Sequence, residues 1–223
     1  MSLVLHYHPL SSYCHKVLIA LYEMGLPFEP RLLNLGDPRQ KDAFLALWPT
    51  GRMPLLEDGG RIVPETSIII EHLQQQHQGN GCLLPSAAAA CLDVRLWDRL
   101  SDQYLMTPMQ AVVAQQLRPP QARDEQAAEQ ARATLRMACD LMEQQLGEQA
   151  WLTGPDFTLA DCAAAPALFY ARTIVPFGVQ HVRLSAYFER LLLRPSVARV
   201  LLEAKPFLQY YPFSALLEPR FTA

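Results

Sequence analysis

Near the start of the chain Ser11, Ser12, Tyr13 and Cys14 set two hydroxyls beside a thiol. They follow the apolar run Leu3-Val4-Leu5-His6-Tyr7 and precede a stretch in which Val17, Leu18, Ala20 and Leu21 recur at helical spacing. A strand-to-helix junction leaves N–H groups unpaired at the positive end of the helix dipole, so it favours a bound anion. A thiolate suits that place; the alternative is that Ser11 or Ser12 only caps the helix. A second helix mouth carries Pro64-Glu65-Thr66-Ser67, and Met53-Pro54 lies between the two in sequence. His6, His8, His15, His72, His77 and His181 show no convincing ligand cluster. Cys14, Cys82, Cys91, Cys139 and Cys162 show neither CxxC pairing nor a disulfide framework. No metal is expected, and there is no Gly-x-Gly-x-x-Gly nucleotide motif.

These residues need positioning elements, and the first third of the chain supplies them. The strand Leu3–Tyr7 stops before Pro9, and Gly25-Leu26-Pro27 ends a helix running from Tyr13 to Met24. Phe28–Leu33 reads as a second strand, which makes the crossover of a parallel pair. A helix around Lys41–Leu47, a hairpin over Met53–Val63 turning at Asp58-Gly59-Gly60, and a helix from Ser67 to His77 complete a βαβαββα unit. Gln78-Gly79-Asn80-Gly81 marks a joint, so residues 1–79 are assigned to a first domain and 80–86 to a linker. Residues 87–223 read as all helical. Leu92–Leu117 is expected as one long helix kinked at Pro108, separated by Arg118-Pro119-Pro120 from another over Arg123–Leu146. Thr158–Ile174, Leu184–Leu193 and Pro195–Ala204 follow, and the residues after Lys205 pack as a tail. The fold class is α/β plus all-α: a small mixed sheet, then a helical bundle.

Composition narrows the function. With 223 residues, 50% hydrophobic and 18% charged, and a mean hydropathy of +0.02, the chain reads as globular rather than disordered or membrane-embedded. Nineteen basic against 22 acidic side chains give a formal charge of -3, so nucleic acid is not an expected partner. The start lacks a basic region followed by an apolar one, and no apolar run approaches the roughly 18 residues of a membrane span. A soluble cytoplasmic protein without a membrane partner is expected.

The segment Ser11-Ser12-Tyr13-Cys14-His15-Lys16-Val17-Leu18-Ile19-Ala20-Leu21, the pair Met53-Pro54, the pair Glu65-Thr66 and the run Phe157-Thr158-Leu159-Ala160-Asp161 together resemble the glutathione transferase superfamily. The resemblance covers nearly the whole chain, and its first segment looks like the serine-class active site, partly the zeta-type Ser-Ser pattern. It implies a thioredoxin-like N-terminal domain with a cis Met53–Pro54 bond, a C-terminal helical bundle and a homodimer. Glutathione is then a substrate, joined in detoxification to a small hydrophobic electrophile.

By the same resemblance, Ser11 takes the catalytic serine's place, with Ser12 able to substitute if the loop shifts by one residue. Its O–H would donate to the thiolate rather than act as a base. Met53 and Pro54 would receive the extended glutathione backbone, Glu65 and Thr66 its γ-glutamyl end, and Arg52 its glycyl carboxylate. Thr158 and Asp161 would form an N-capping box. Cys14 stands where a glutaredoxin-like protein has its resolving cysteine, so a redox role and a buried thiol both stay open. Tyr104, Met106 and Met109, with Leu10, are candidate walls of the electrophile pocket or ordinary core. Two other functions remain: glutathione-dependent cis-trans isomerisation of an unsaturated diacid, and a noncatalytic, stress-linked binding protein on the same scaffold.

Overall fold

The computed structural model describes residues 2–34, 36–77 and 79–222. Gln78, part of the expected joint, and the end residues Met1 and Ala223 of the assigned domains lie outside the described residues. Strand β1 (Leu3–Tyr7) is central and covered on both faces, with Leu3, Leu5 and His6 all buried. It pairs in parallel with β2 (Phe28–Leu32) and antiparallel with β3 (Leu55–Asp58), which turns into β4 (Arg61–Val63), giving the order β2-β1-β3-β4. Pro30, opposite Leu5, is tolerated because β2 is an edge strand and needs no outer ladder bond there.

Helix α1 (Ser12–Met24) crosses from β1 to β2. Its end is a Schellman motif: Gly25 takes φ +65, its N–H reaches Tyr22 C=O, and Leu26 N–H reaches Leu21 C=O. Helix α2 (Pro38–Leu47) starts from an Asp37 cap, a turn earlier than the apolar pattern indicates, because Pro38 is well placed at a helix start. Helix α3 (Thr66–Gln76) closes the unit. The glycine-rich joint that follows is a packing device: a Cβ on Gly79 or Gly81 would stand 2.7 Å from the Met24 or Glu23 carbonyl oxygen.

The remainder is helical: α4 (Ala88–Leu100), α5 (Thr107–Leu117), α6 (Glu125–Leu146), α7 (Leu159–Ile174), α8 (Val182–Leu193), α9 (Pro195–Ala204) and a short α10 (Pro219–Thr222). The expected long helix begins earlier, at Ala88, and is interrupted before Pro108 rather than at it. Ser101–Met106 forms a π-helix, in which Thr107 N–H reaches back to Asp102 C=O. Pro108 has no N–H for the Tyr104 carbonyl and its ring crowds that group, so the turn before it widens. The tail contains 3-10 turns at Lys205–Tyr210 and Ser214–Leu216 and buries Leu208, Tyr211 and Leu217.

α1 and α7 share the core. α7 buries every residue from Leu159 to Ala171, and its alanines let α1 approach closely. One apolar cluster therefore runs from Leu5 and Ile70 through to Leu168 and Tyr187. The capping box forms: Thr158 N–H donates to Asp161 Oδ2 at 2.8 Å. Asp161 Oδ1 accepts from Leu152 N–H at 3.0 Å and Tyr187 O–H at 2.6 Å, so this buried carboxylate is well satisfied.

Candidate active site

The loop between β1 and α1 is held from three sides. Ser11 is the N-cap of α1, with β-region φ and ψ, and its Oγ accepts from Cys14 N–H at 3.3 Å. Ser12 is buried, 4% exposed, whereas Ser11 opens into solvent. His15 anchors the loop from inside, its Nε2 lying 2.5 Å from Pro9 C=O and its ring 5.7 Å from that of Tyr170. Cys14 is completely buried, and burial pushes its thiol up to about 12. It has neither the exposure nor the acidity that a redox cysteine needs.

Burial also lowers His15, to about 4, against the lesser opposing effects of the Pro9 carbonyl and Glu203. An imidazole whose folded pKa lies below its unfolded value contributes stability that is intact above the unfolded pKa and is lost as pH falls toward the folded one. About 3 kcal/mol should therefore disappear between roughly pH 6.5 and 4. Urea unfolding of the native protein and of His15→Gln across that range checks it: an equally steep acid loss in the variant would clear His15.

Lys16, the next residue of α1, is also fully buried. Its Nζ stands 2.6 Å from Asp98 Oδ1 and 2.9 Å from Asp102 Oδ2, and donates to Ser67 Oγ at 3.0 Å, while Ser67 O–H donates to Asp98 at 2.6 Å. Burial alone would lower the ammonium's pKa; Asp102 and Asp98 outweigh it and hold Lys16 above its usual range. This cluster ties together α1, α3, α4 and the π-helix.

Those four elements, with the loop around Arg52 and the start of α5, surround a cleft of about 730 Å³. Ser11, Arg52, Met53, Pro54, Glu65 and Thr66 all line it. The Met53–Pro54 bond is cis. Arg52 is exposed and has no carboxylate partner among the described residues. Glu65 precedes α3 at φ +67 and ψ 121, a left-handed conformation that strains a residue bearing a Cβ, and its carboxylate makes no cap hydrogen bond. Thr66 is the first residue of α3, 8% exposed. The N-termini of α1 and α3 thus open onto one cleft, each with spare N–H groups.

The far wall is not the Met and aromatic stripe, which takes the second of its two expected places, outside the cleft. Met106 and Met109 are core residues, 0% and 3% exposed, Leu10 packs against the same core, and Tyr104 faces away beside Trp97 and Leu141. The wall is built from Tyr13, Arg99, Gln103, Thr107 and Gln110. A Met and aromatic stripe is apolar enough to be buried, whereas the polar residues at 99, 103, 107 and 110 recur every three or four positions and mark the open face. The histidine expectation is also corrected in one place: His72 and His77 meet at Asp58.

Residues 5–81 match the family model of the glutathione S-transferase N-terminal domain, and residues 125–190 match that of the C-terminal domain. The curated protein "Glutathione S-transferase 3" of Zea mays is 32% identical over 198 residues, covering 84% of this chain and 88% of that one. The chain belongs to the glutathione S-transferase family. "Glutathione S-transferase GstB" of Escherichia coli (strain K12) is 27% identical, covering 84% and 91%. In three dimensions, a glutathione S-transferase from Methylobacillus flagellatus, solved with glutathione bound, superposes with TM-score 0.82 at 24% identity over 89% of this chain and 98% of that one, a likeness of fold. The sheet order and the helical C-terminal half are those of a glutathione S-transferase with a thioredoxin-like N-terminal domain.

Proposed function

We propose that the cleft binds glutathione across the two helix N-termini and that Ser11 activates its thiol. The protein is a glutathione transferase, and the convergence of α1 and α3 on one cleft carries the residue assignments. Reacting glutathione carries a thiolate and two carboxylates. One helix N-terminus meets the thiolate and the other the γ-glutamyl carboxylate. Ser11 O–H donates to the thiolate; Thr66 O–H and the α3 N–H groups receive the carboxylate; Glu65 pairs with the γ-glutamyl ammonium; Arg52 takes the glycyl carboxylate. Met53 N–H and C=O enter no turn or loop hydrogen bond among the described residues and are open to the peptide backbone.

The thiolate then attacks an electrophile held against Arg99, Gln103, Thr107 and Gln110. That lining favours an electrophile with a polar or anionic group over the purely hydrophobic one expected from resemblance. It also gives isomerisation of an unsaturated diacid one specific support, since Arg99 faces the electrophile side of the cleft. Exposed Leu92, Leu96 and Leu141, between 40% and 66% accessible on α4 and α6, support a homodimer. Five free cysteines suit a reducing cytoplasm.

Glutathione consumption against paired polar and apolar electrophiles, alongside isomerisation of a diacid, tests the activity; no turnover with any of them would favour the noncatalytic reading. Glu65→Ala tests the site. It should weaken glutathione at least tenfold, about 1.4 kcal/mol, because the ammonium loses its partner in the cleft. Glu65→Gly should lose the same affinity yet be about 1 kcal/mol more stable than Glu65→Ala, since only glycine relieves φ +67. Unchanged affinity in both would move the γ-glutamyl end elsewhere.

A further inference from the structure

At the end of α3 remote from the cleft, three side chains with metal-ligating atoms converge. His72 Nε2 and His77 Nε2 each lie 2.8 Å from the same atom, Asp58 Oδ2. Asp58 and His72 side chains are 9% exposed and His77 is 22% exposed. Five residues apart, the two histidines would point to different faces of a continuing helix. α3 instead stops at Gln76, and His77 takes φ -122 and ψ 135, which brings its ring edge to the same carboxylate. The two rings stand 6.2 Å apart at 67°, converging rather than stacking. Asp58 closes β3, in register with Leu3 on one side and Arg61 on the other, so its position is fixed by the sheet.

Hydrogen bonding alone leaves this arrangement half satisfied. Oδ2 is offered two donors, while Asp58 Oδ1 is buried with no partner. A buried carboxylate with an unpaired oxygen is costly, and a cation held by Oδ2 and the two Nε2 atoms offsets its charge more than two hydrogen bonds to one oxygen do. We propose that Asp58, His72 and His77 form a binding site for a divalent first-row transition ion, with Zn²⁺ the best match to the donors. Two imidazole nitrogens and one carboxylate oxygen are a borderline set suited to Zn²⁺, which accepts three protein ligands and one water in a tetrahedron. Mg²⁺ and Ca²⁺ want six or more oxygens, which this place does not offer.

The geometry needs only a small adjustment. The ligand atoms lie within 4.8 Å of one another. Zn²⁺ bonds of about 2.0–2.2 Å separate tetrahedral donors by roughly 3.3 Å, so each ring must retreat about half an ångström from Asp58 Oδ2. His77, at the helix end and the most exposed of the three, has room to give. The Nε2 protons now shared with Asp58 shift to Nδ1, and the freed lone pairs coordinate. The ion would staple the end of β3 to the end of α3. An 11-residue helix is about 16 Å long, so Thr66 and the cleft lie well away from it.

The test uses the full-length protein, stripped with chelator and kept free of glutathione, which itself binds zinc. Co²⁺ should bind at one equivalent with the visible absorption of a four-coordinate ion, and Zn²⁺ should displace it. Zn²⁺ at a hundredfold excess over its Kd should raise the Tm by about 5 °C. His77→Gln and Asp58→Asn should each abolish the band and the rise while conserving the metal-free conjugation rate. Cys82→Ser, which removes an exposed thiol, should change neither. The proposal is overturned if Co²⁺ gives no four-coordinate band, if band and stabilisation survive His77→Gln, or if they vanish in Cys82→Ser.

Discussion

Lys16→Met is expected to cost the fold about 3–5 kcal/mol, a fall in Tm on the order of 10 °C. Methionine fills the ammonium's space, so packing is nearly conserved and the effect isolates charge. Asp98 and Asp102, 2% and 6% exposed, would be left within reach of each other with no cation between them. Burial already pushes Asp102 up, with Lys16 opposing it. Thermal and urea unfolding of Lys16→Met, and of the same variant carrying Asp98→Asn and Asp102→Asn, provide the check. The triple variant should regain most of the loss because no charge remains in this cluster. A single variant within about 1 kcal/mol of the parent would mean that the two carboxylates tolerate burial unaided.

Ser11→Ala should leave the fold intact apart from about 1 kcal/mol of helix cap, and should strip the bound thiol of its acidity. A free thiol near pKa 8.5 is about 1% ionised at pH 6.5; a two-unit depression, roughly 2.7 kcal/mol of preference for the anion, makes it about half ionised. Thiolate absorbance of the glutathione complex should therefore fall in the variant at pH 6.5, by at most some fiftyfold because the α1 N-terminus still favours the anion. The rate should fall less, by about tenfold in kcat/KM, because the more basic thiolate is intrinsically more nucleophilic. The deficit should close above about pH 9. A profile parallel to the parent's at all pH values would assign the hydroxyl to positioning alone, and Ser12→Ala, at a buried serine, should show no shift.

Much of this architecture was legible along the chain because it is local. Gly25-Leu26-Pro27 marks a helix end, Thr158 and Asp161 mark a helix start, and Ser11, Met53-Pro54 and Glu65-Thr66 sit at junctions whose neighbours declare strand or helix. What escaped depends on phase or on distant pairing. Tyr104, Met106 and Met109 stayed open between cleft wall and ordinary core because nothing in the pattern reveals that Ser101–Met106 winds as a π-helix, which shifts the phase of the faces on either side. Lys16 read as a generic basic residue after the serines, since its partners Asp98 and Asp102 lie more than 80 positions away. His72 and His77 read as unrelated because their meeting point, Asp58, belongs to a strand.

A π-helical turn houses one residue more than an α-helix needs to cover the same path. Removing a single residue from Ser101–Met106 would therefore let α4 and α5 fuse into one regular helix with the two halves still nearly in phase. Arg99 and Gln110 would go on looking into the same cleft. A deletion elsewhere in α4 or α5, where no widened turn takes up the slack, would instead turn one half against the other by about 100°. The π-turn is thus the one place along this wall where a codon can be lost with the wall and the glutathione side both left standing.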